Sequence, residues 1–246
     1  MIFYHLPFYP ESRVIKMILH EKSVEFESVE KKLNNKVSPN RVPNNRVIKN
    51  QAMNNKASST NRDEEILALN PAGTLPIIVD DGLAISSMYA ITEYLEERYK
   101  KIELITGTEF EKAEIRRVFS WVCNKFAREV FFYIAGEKLY KYIDNAGTPD
   151  SSKIRAGRKN LETHIEYFEY LLSRNRYIIG ENFSIADVAA SCYISILDYL
   201  GVIEWKECTL LKDWYCVIKS RPSFRDFLTE SVKGIHAPYY YTDLDF

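Results

Sequence analysis

The sequence has little that would commit it to metal, disulfide or membrane chemistry. Only four of its 246 residues are cysteines (Cys123, Cys192, Cys208 and Cys216), and no two of them form a C-x-x-C pair or a zinc-ligand spacing. Each stands among apolar residues of a helical pattern, which predicts buried free thiols in a reducing compartment and no metal site. No apolar run approaches the ~18 residues of a membrane-spanning helix, so direct membrane insertion is not expected. An excess of charge of one sign is missing too. Lys and Arg number 33 against 34 Asp and Glu, a net charge of −1, which gives no field to attract nucleic acid or an anionic membrane. The first nine residues read directly as a strand, with no charged and apolar leader, which predicts a cytoplasmic protein.

One segment lacks nearly everything a core requires. Residues 34–62 hold nine Asn and six Lys or Arg, with no acidic residue, no glycine and no aromatic. Their few apolar residues follow no period, so the segment is expected to be a disordered insertion, with a basic arm for an acidic partner as the functional alternative.

The rest of the chain is organised around residues 70–87. Asn70-Pro71-Ala72-Gly73 is a turn, in which Pro fixes φ and Gly accepts a positive φ. Leu75 to Val79 is a short β-branched run that reads as a buried strand. Asp80-Asp81-Gly82 is a hairpin signal returning through Leu83-Ala84-Ile85. Ser86-Ser87 then opens a helix with Met88, Ile91 and Leu95 on one face. Pro76 enters a strand without the N–H a ladder needs, which predicts an edge, a strand start or a cis bond, with adjacent backbone left open to an extended peptide. Upstream, Ile2–Leu6 is a strand, Glu11-Ser12-Arg13 opens a helix with Val14, Ile15, Ile18 and Leu19 on one face, and residues 24–29 alternate as a second strand.

These motifs resemble the thioredoxin-like N-terminal domain of the glutathione transferases. The resemblance rests on Asn70-Pro71, Gly73, Leu75-Pro76, Asp80-Asp81-Gly82 and Ile85-Ser86-Ser87, with Ile91, Tyr94 and Leu95, and on Pro7-x-x-Pro10-x-Ser12-Arg13. It implies a glutathione-like subsite at Leu75, Pro76, Ser86 and Ser87, with Ser87 meeting the γ-glutamyl carboxylate at a helix N-terminus. The usual Glu or Gln before that serine is here Ser86. The family's thiolate-activating position is occupied by Tyr9, and Tyr4 is the alternative near the end of the first strand. Neither matches the pattern cleanly, so no catalytic residue is assigned.

The second half reads as all helix. Glu109 to Lys141 is a long helical stretch with Val118, Trp121, Val122, Lys125 and Phe126 proposed as one face. Ser151-Ser152 is expected to cap the next helix, which carries Leu161, Ile165, Phe168 and Leu172. Ser184-x-x-Asp187 is a capping box with Asp in place of Glu, a structural role, and resembles the motif that nucleates a buried helix in transferase C-terminal domains. A helix from Trp214 to Ser220 and a last one begun by Arg221-Pro222-Ser223-Phe224 complete the pattern. The expected fold is therefore an α/β thioredoxin-like domain (1–101, with the 34–62 insertion), an all-α domain of transferase type (102–230), and a C-terminal tail (231–246).

The tail ends in Tyr239-Tyr240-Tyr241-Thr242-Asp243-Leu244-Asp245-Phe246, aromatic anchors followed by an acidic-apolar alternation. This is the composition of a peptide ligand, with packing back on its own domain as the alternative. Combined with the transferase pattern, the ending resembles the glutathione-transferase-like cell-division proteins of the FzlA family. That resemblance implies a non-enzymatic regulator that binds FtsZ, reaches another division-machinery protein through Tyr239, Tyr240, Tyr241, Asp243, Leu244, Asp245 and Phe246, forms a homodimer and couples the division ring to septal wall synthesis, without a cofactor. The alternative is a glutathione-dependent transferase or isomerase, with glutathione as cosubstrate. A third, weaker reading is an RNA-polymerase-binding protein of stringent-starvation type. Loss of residues 243–246 is expected to remove activity while leaving the thermal midpoint nearly unchanged.

Overall fold

The computed structural model describes residues 1–31 and 64–246. The basic segment 34–62 lies outside the described residues. The N-terminal half is a four-stranded sheet in the order β2-β1-β3-β4. Strand β1 (Ile2–His5) runs parallel to β2 (Glu27–Glu30) and antiparallel to β3 (Ile77–Asp80), which pairs antiparallel with β4 (Leu83–Ser86). The β1-α1-β2 unit followed by β3-β4-α3 is a thioredoxin fold, with α1 at Pro10–Glu21 and α3 at Met88–Arg98.

Alternation along the strands decides which side is which. Phe3 and Ile78 face the main core with Val14, Ile15, Ile18, Ile91 and Leu95 of α1 and α3. Tyr4 and Ile77 point to the opposite face, against Ile66 of the short helix α2 (Glu64–Leu69). The second strand starts three residues later than its alternation suggests. Ser23 takes φ 55° and the Val24 N–H bonds the Leu19 carbonyl at 2.9 Å, so residues 23–24 close the end of α1.

The turns of the organising stretch form as expected. Gly73, at φ 66°, donates its N–H to the Asn70 carbonyl, and Asp81 and Gly82 both hold positive φ (49° and 79°), the backbone of a primed hairpin turn. Asp80 then ties hairpin to helix, accepting from the Tyr94 hydroxyl at 2.7 Å and the Tyr99 hydroxyl at 3.3 Å.

The chain leaves this unit under a clamp. Lys22 is buried and its Nζ meets Glu96 Oε1 at 2.8 Å while donating to the Tyr99 and Ile102 carbonyls. Glu96 accepts in turn from the N–H groups of Leu104 and Ile105. The link between the halves is thus fixed by a buried charge pair whose oxygens and hydrogens are used several times over.

The C-terminal half is helical. From Glu109 to Ile143 the chain stays helical, but not as one regular α-helix. Helix α4 (Glu109–Trp121) passes into a π-helical stretch (Val122–Phe131), a short α5 (Phe132–Ala135), a second π-helical stretch (Gly136–Tyr140) and α6 (Lys141–Ile143). The wider winding shifts the buried face. Val118, Val122 and Phe126 are buried as proposed, whereas Lys125 points outward and pairs with Glu129. Helix α7 (Ser151–Leu172) is capped by Asp150, whose carboxylate accepts from the N–H groups of Ser152 and Lys153, and not by the two serines. Gly157 lets α7 approach: a Cβ there would lie 2.7 Å from Tyr133 Cβ and 2.8 Å from Ile134 Cγ1.

Helix α8 (Ile185–Tyr199) is buried along its whole length and forms the axis of the molecule. It packs against α1, so a single apolar cluster runs through both halves. Arg13 crosses this junction. Fully buried, it donates to Ser195 Oγ and Glu230 Oε2, each at 2.7 Å, between the rings of Phe8 and Phe227. Helices α9 (Thr209–Lys219) and α10 (Arg225–Thr229) finish the fold.

Candidate functional site

The residues expected to form a glutathione-like subsite do gather at the junction of β3, β4 and α3. The Leu75–Pro76 bond is cis and immediately precedes β3; Leu75 is half-buried and Pro76 buried. Ser86 ends β4, and Ser87 stands at the N-cap of α3 with φ 76°, solvent-exposed and making no side-chain cap bond. The first helical residue is Met88, whose thioether is buried 4.0 Å from Cys123 Sγ. Ser87 thus brings a hydroxyl to this helix end, where the first N–H groups of a helix favour an anion.

The two candidate tyrosines lie on different sides of the sheet. Tyr4 faces α2 and donates its hydroxyl to Glu65 Oε1 at 2.8 Å, a bond that raises its pKa. Tyr9 stands at the N-cap position of α1 without a side-chain cap bond and is buried, its ring 6.1 Å from that of Tyr140. Burial, then the nearby Glu11 carboxylate, then Tyr140 push the Tyr9 phenol well above 10. The Tyr4 hydroxyl is engaged by Glu65, and the Tyr9 phenol is held in its protonated form.

Glu11 carries no sequence signal beyond opening a helix, because an acid in the first turn is ordinary. Here burial raises its carboxyl from 4.5 to about 7, and among the described residues no hydrogen bond or ion pair offsets that burial. Its charge acts on Tyr9, Tyr89, Cys123, Tyr140 and Tyr193, in every case raising the pKa of the acidic group. Cys123, raised first by burial and then by Glu11, stays a thiol. An electrostatic environment with this sign opposes a thiolate.

The C-terminal segment folds back on α9 and α10. Tyr241 is buried, with its ring 5.3 Å from Tyr199 and its hydroxyl donating to the Phe227 carbonyl at 3.0 Å. The ring of Phe246 stacks on Tyr240 at 5.4 Å and meets Trp205 edge-on at 5.2 Å. Lys219 Nζ sits 4.1 Å from the centre of that ring and Lys212 Nζ 5.2 Å. Lys219, buried in a helix, donates to the main-chain carbonyls of Tyr240 and Asp243. Tyr239, Asp243, Leu244 and Asp245 remain exposed. By these contacts the tail is part of the folded unit, which argues against the expectation that losing residues 243–246 would leave the thermal midpoint unchanged. Removing them uncovers Trp205 and takes from the buried Lys219 ammonium the Asp243 carbonyl and the Phe246 ring, leaving it the Tyr240 carbonyl.

The capping pair forms as expected. Ser184 Oγ accepts from the Ala186 N–H, and Asp187 Oδ2 accepts from the Ser184 N–H at 2.9 Å. Asp187 does more than cap. Its other oxygen accepts from the Ile178 N–H at 2.8 Å and from Trp214 Nε1 at 3.0 Å, joining the start of α8 to the preceding loop and to α9. Burial raises its carboxyl to about 6 even against these bonds.

Comparison with known proteins agrees with this architecture. Residues 10–98 match the model of the glutathione S-transferase N-terminal domain, and residues 151–215 that of the C-terminal domain. The chain belongs to the glutathione S-transferase family. FtsZ-localized protein A of Caulobacter vibrioides is 32% identical over 247 residues, covering 99% of this chain and 97% of that protein. Glutathione S-transferase 2 of Saccharomyces cerevisiae is 28% identical over 68% of this chain and 72% of its own. Among solved structures, a glutathione S-transferase from Rhodospirillum rubrum superposes with a TM-score of 0.86 at 37% identity (100% of this chain, 99% of that one). FzlA from C. crescentus superposes with 0.82 at 30% identity and the same coverage.

Within this transferase fold the cis Leu75–Pro76 bond, the end of β4 and the N-cap of α3 at Ser87 are the features described at this junction. Among the described residues no cluster of three or more His, Cys, Asp or Glu could hold a metal, and no helix is long and apolar enough to cross a membrane.

Proposed function

We propose that the protein is a division regulator of transferase fold that associates with FtsZ filaments and acts through binding, with no transferase reaction. The observation that carries the reading is the end-to-end likeness to FtsZ-localized protein A, which includes the tail and not only the family domains. The electrostatics of the junction support it: burial first, and then the Glu11 charge, raise the phenol of Tyr9 and the thiol of Cys123, where glutathione chemistry requires stabilisation of a thiolate. On this reading the protein works as a homodimer at the division site in the cytoplasm. The exposed Tyr239, Asp243, Leu244 and Asp245 offer the tail's first contacts to a second division protein, and the dimer's output is coupling of the ring to septal wall synthesis.

The test is co-pelleting of the purified protein with GTP-assembled FtsZ, with turnover of a standard electrophile by glutathione assayed on the same preparation. Filament binding without glutathione turnover is the expected result. Turnover of a standard electrophile with glutathione, with no protein in the filament pellet, would overturn it and restore the transferase reading. In that case Tyr9→Phe and Ser87→Ala are the first variants to assay.

A further inference from the structure

The tail is held at its two ends and bare between them. Tyr241 is fixed by its buried ring and by its bond to Phe227, so a movement of the terminus hinges beyond it, at residues 242–246. Past that point the attachment consists of the Phe246 ring and the contact of the Asp243 carbonyl with Lys219.

The floor beneath these contacts has polar groups left over. Asp198 is fully buried; one of its oxygens accepts from Trp205 Nε1 at 2.8 Å, and the other, Oδ2, has no hydrogen-bond partner. The buried hydroxyl of Tyr215 also lacks one of normal geometry, although it lies close enough to Asp198 for each group to act on the other. Lys219 is the cation whose charge acts on Asp198, and Asp198 the first anion acting on Lys219. Trp205 joins the two sets of contacts, with its N–H on Asp198, its face stacked on Tyr215 at 5.1 Å and its ring against Phe246. Orphaned buried polar atoms beside a cation are costly in a single rigid state. They are explained if the cation has a second position.

We infer that Trp205, Lys212, Tyr215 and Lys219 form a receptor for an aromatic C-terminus, which the chain's own Phe246 fills, and that Lys219 is a two-position latch on it. With the tail docked, Lys219 serves the carbonyls of Tyr240 and Asp243 and the face of Phe246. With the tail released, the ammonium turns to the vacant oxygen of Asp198, so release does not strand a buried charge. The two states therefore differ by an exchange of partners for one cation, and that is the condition for a switch with both states populated. A partner that reads the terminal residues meets only the released fraction, and its apparent affinity is reduced by that fraction. This last consequence rests on the proposed role of the tail; the latch does not.

The experiment uses the full-length purified chain and no partner. The rate at which carboxypeptidase A releases Phe246 is measured beside hydrogen exchange of the amides of residues 242–246, against a free peptide of residues 239–246. The docked tail should be cleaved at least tenfold more slowly than the peptide. Lys219→Met removes the latch from the tail and should raise the rate severalfold, while Asp198→Asn removes the alternative partner and should lower it. Opposite signs distinguish a latch from general loosening. Equal rates for chain and peptide, or a shift of both variants in the same direction, would overturn the inference. Should Lys219→Met fail to fold, the full-length Phe246→Ala protein is titrated with a peptide of residues 241–246. Saturable quenching of tryptophan fluorescence supports the receptor and its absence refutes it. None of these outcomes depends on FtsZ, so failure here leaves the proposed function standing, and failure of filament binding leaves the latch standing.

Discussion

The Glu11→Gln substitution tests the electrostatic account of the junction most directly. The wild-type carboxyl rises from 4.5 to about 7 because burial penalises the anion and no described partner compensates. A folded-state pKa above the unfolded value means that the native state binds a proton the unfolded chain has released. This group therefore costs nothing below the unfolded pKa, and its penalty grows as pH rises from about 4.5 to about 7 and is complete above that. At about 1.4 kcal/mol per tenfold in the proton equilibrium the ceiling is about 3 kcal/mol, and relaxation of a partly accessible side chain toward water reduces this to roughly 1–2 kcal/mol. Glutamine keeps the shape and carries no charge at any pH. The variant should match wild type at pH 4 and melt roughly 3–6 °C higher at pH 8. Buried His5, lowered to about 4, contributes pH dependence of the opposite sign, but in both proteins alike, so the difference between the two melting curves isolates Glu11. The assay is paired calorimetric melting from pH 4 to pH 8. A variant that is less stable at pH 8, or a difference that does not change with pH, would refute the reasoning.

Other expectations follow from the same contacts. Ser184→Ala removes one cap acceptor and should cost about 1–2 kcal/mol by chemical denaturation without altering filament binding by the folded protein. Lys22→Met leaves the half-buried Glu96 without its cation and should cost about 3–5 kcal/mol, whereas the double change Lys22→Met with Glu96→Leu should recover most of that loss; a double variant as weak as the single one would contradict the clamp. Gly157→Ala forces α7 against Tyr133 and Ile134 and should cost about 1–3 kcal/mol, read as a lowered urea midpoint at unchanged slope. Phe246→Ala should lower the thermal midpoint by several degrees and expose Trp205 to collisional quenching by iodide.

The elements with a local cause were legible in the sequence. The Asn70–Gly73 turn, the Asp81-Gly82 hairpin, the apolar face of α1 and the Ser184–Asp187 box each depend on residues within a few positions of one another, and their spacing predicted them. So was the transferase fold, because its punctuation by Pro76, Gly73 and Pro10 is a matter of backbone conformation, which local residues dictate. The winding of residues 122–140 was not legible: π-helical turns are set by what packs against the helix, and nothing in the local pattern distinguishes them from α. Nor was the choice of Asp150 over Ser151 as a cap, since either side chain can accept from the next turn.

What only the tertiary structure decided concerns charge. Glu11, Lys22, Arg13, Asp198 and Lys219 read as ordinary polar residues of amphipathic helices, and the sequence offers no sign that all of them are partly or wholly withdrawn from water. Their partners lie far along the chain, Arg13 with Glu230, Lys22 with Glu96 and Lys219 with the last residues of the tail. Desolvation depends on everything that surrounds a group, so it has no local signature. The sequence by itself determined a two-part transferase scaffold and a terminus rich in contact residues. The packing of α8 against α1 and of the tail against α9 decided which of those residues are exposed to a partner, and which charges have to be satisfied within the fold.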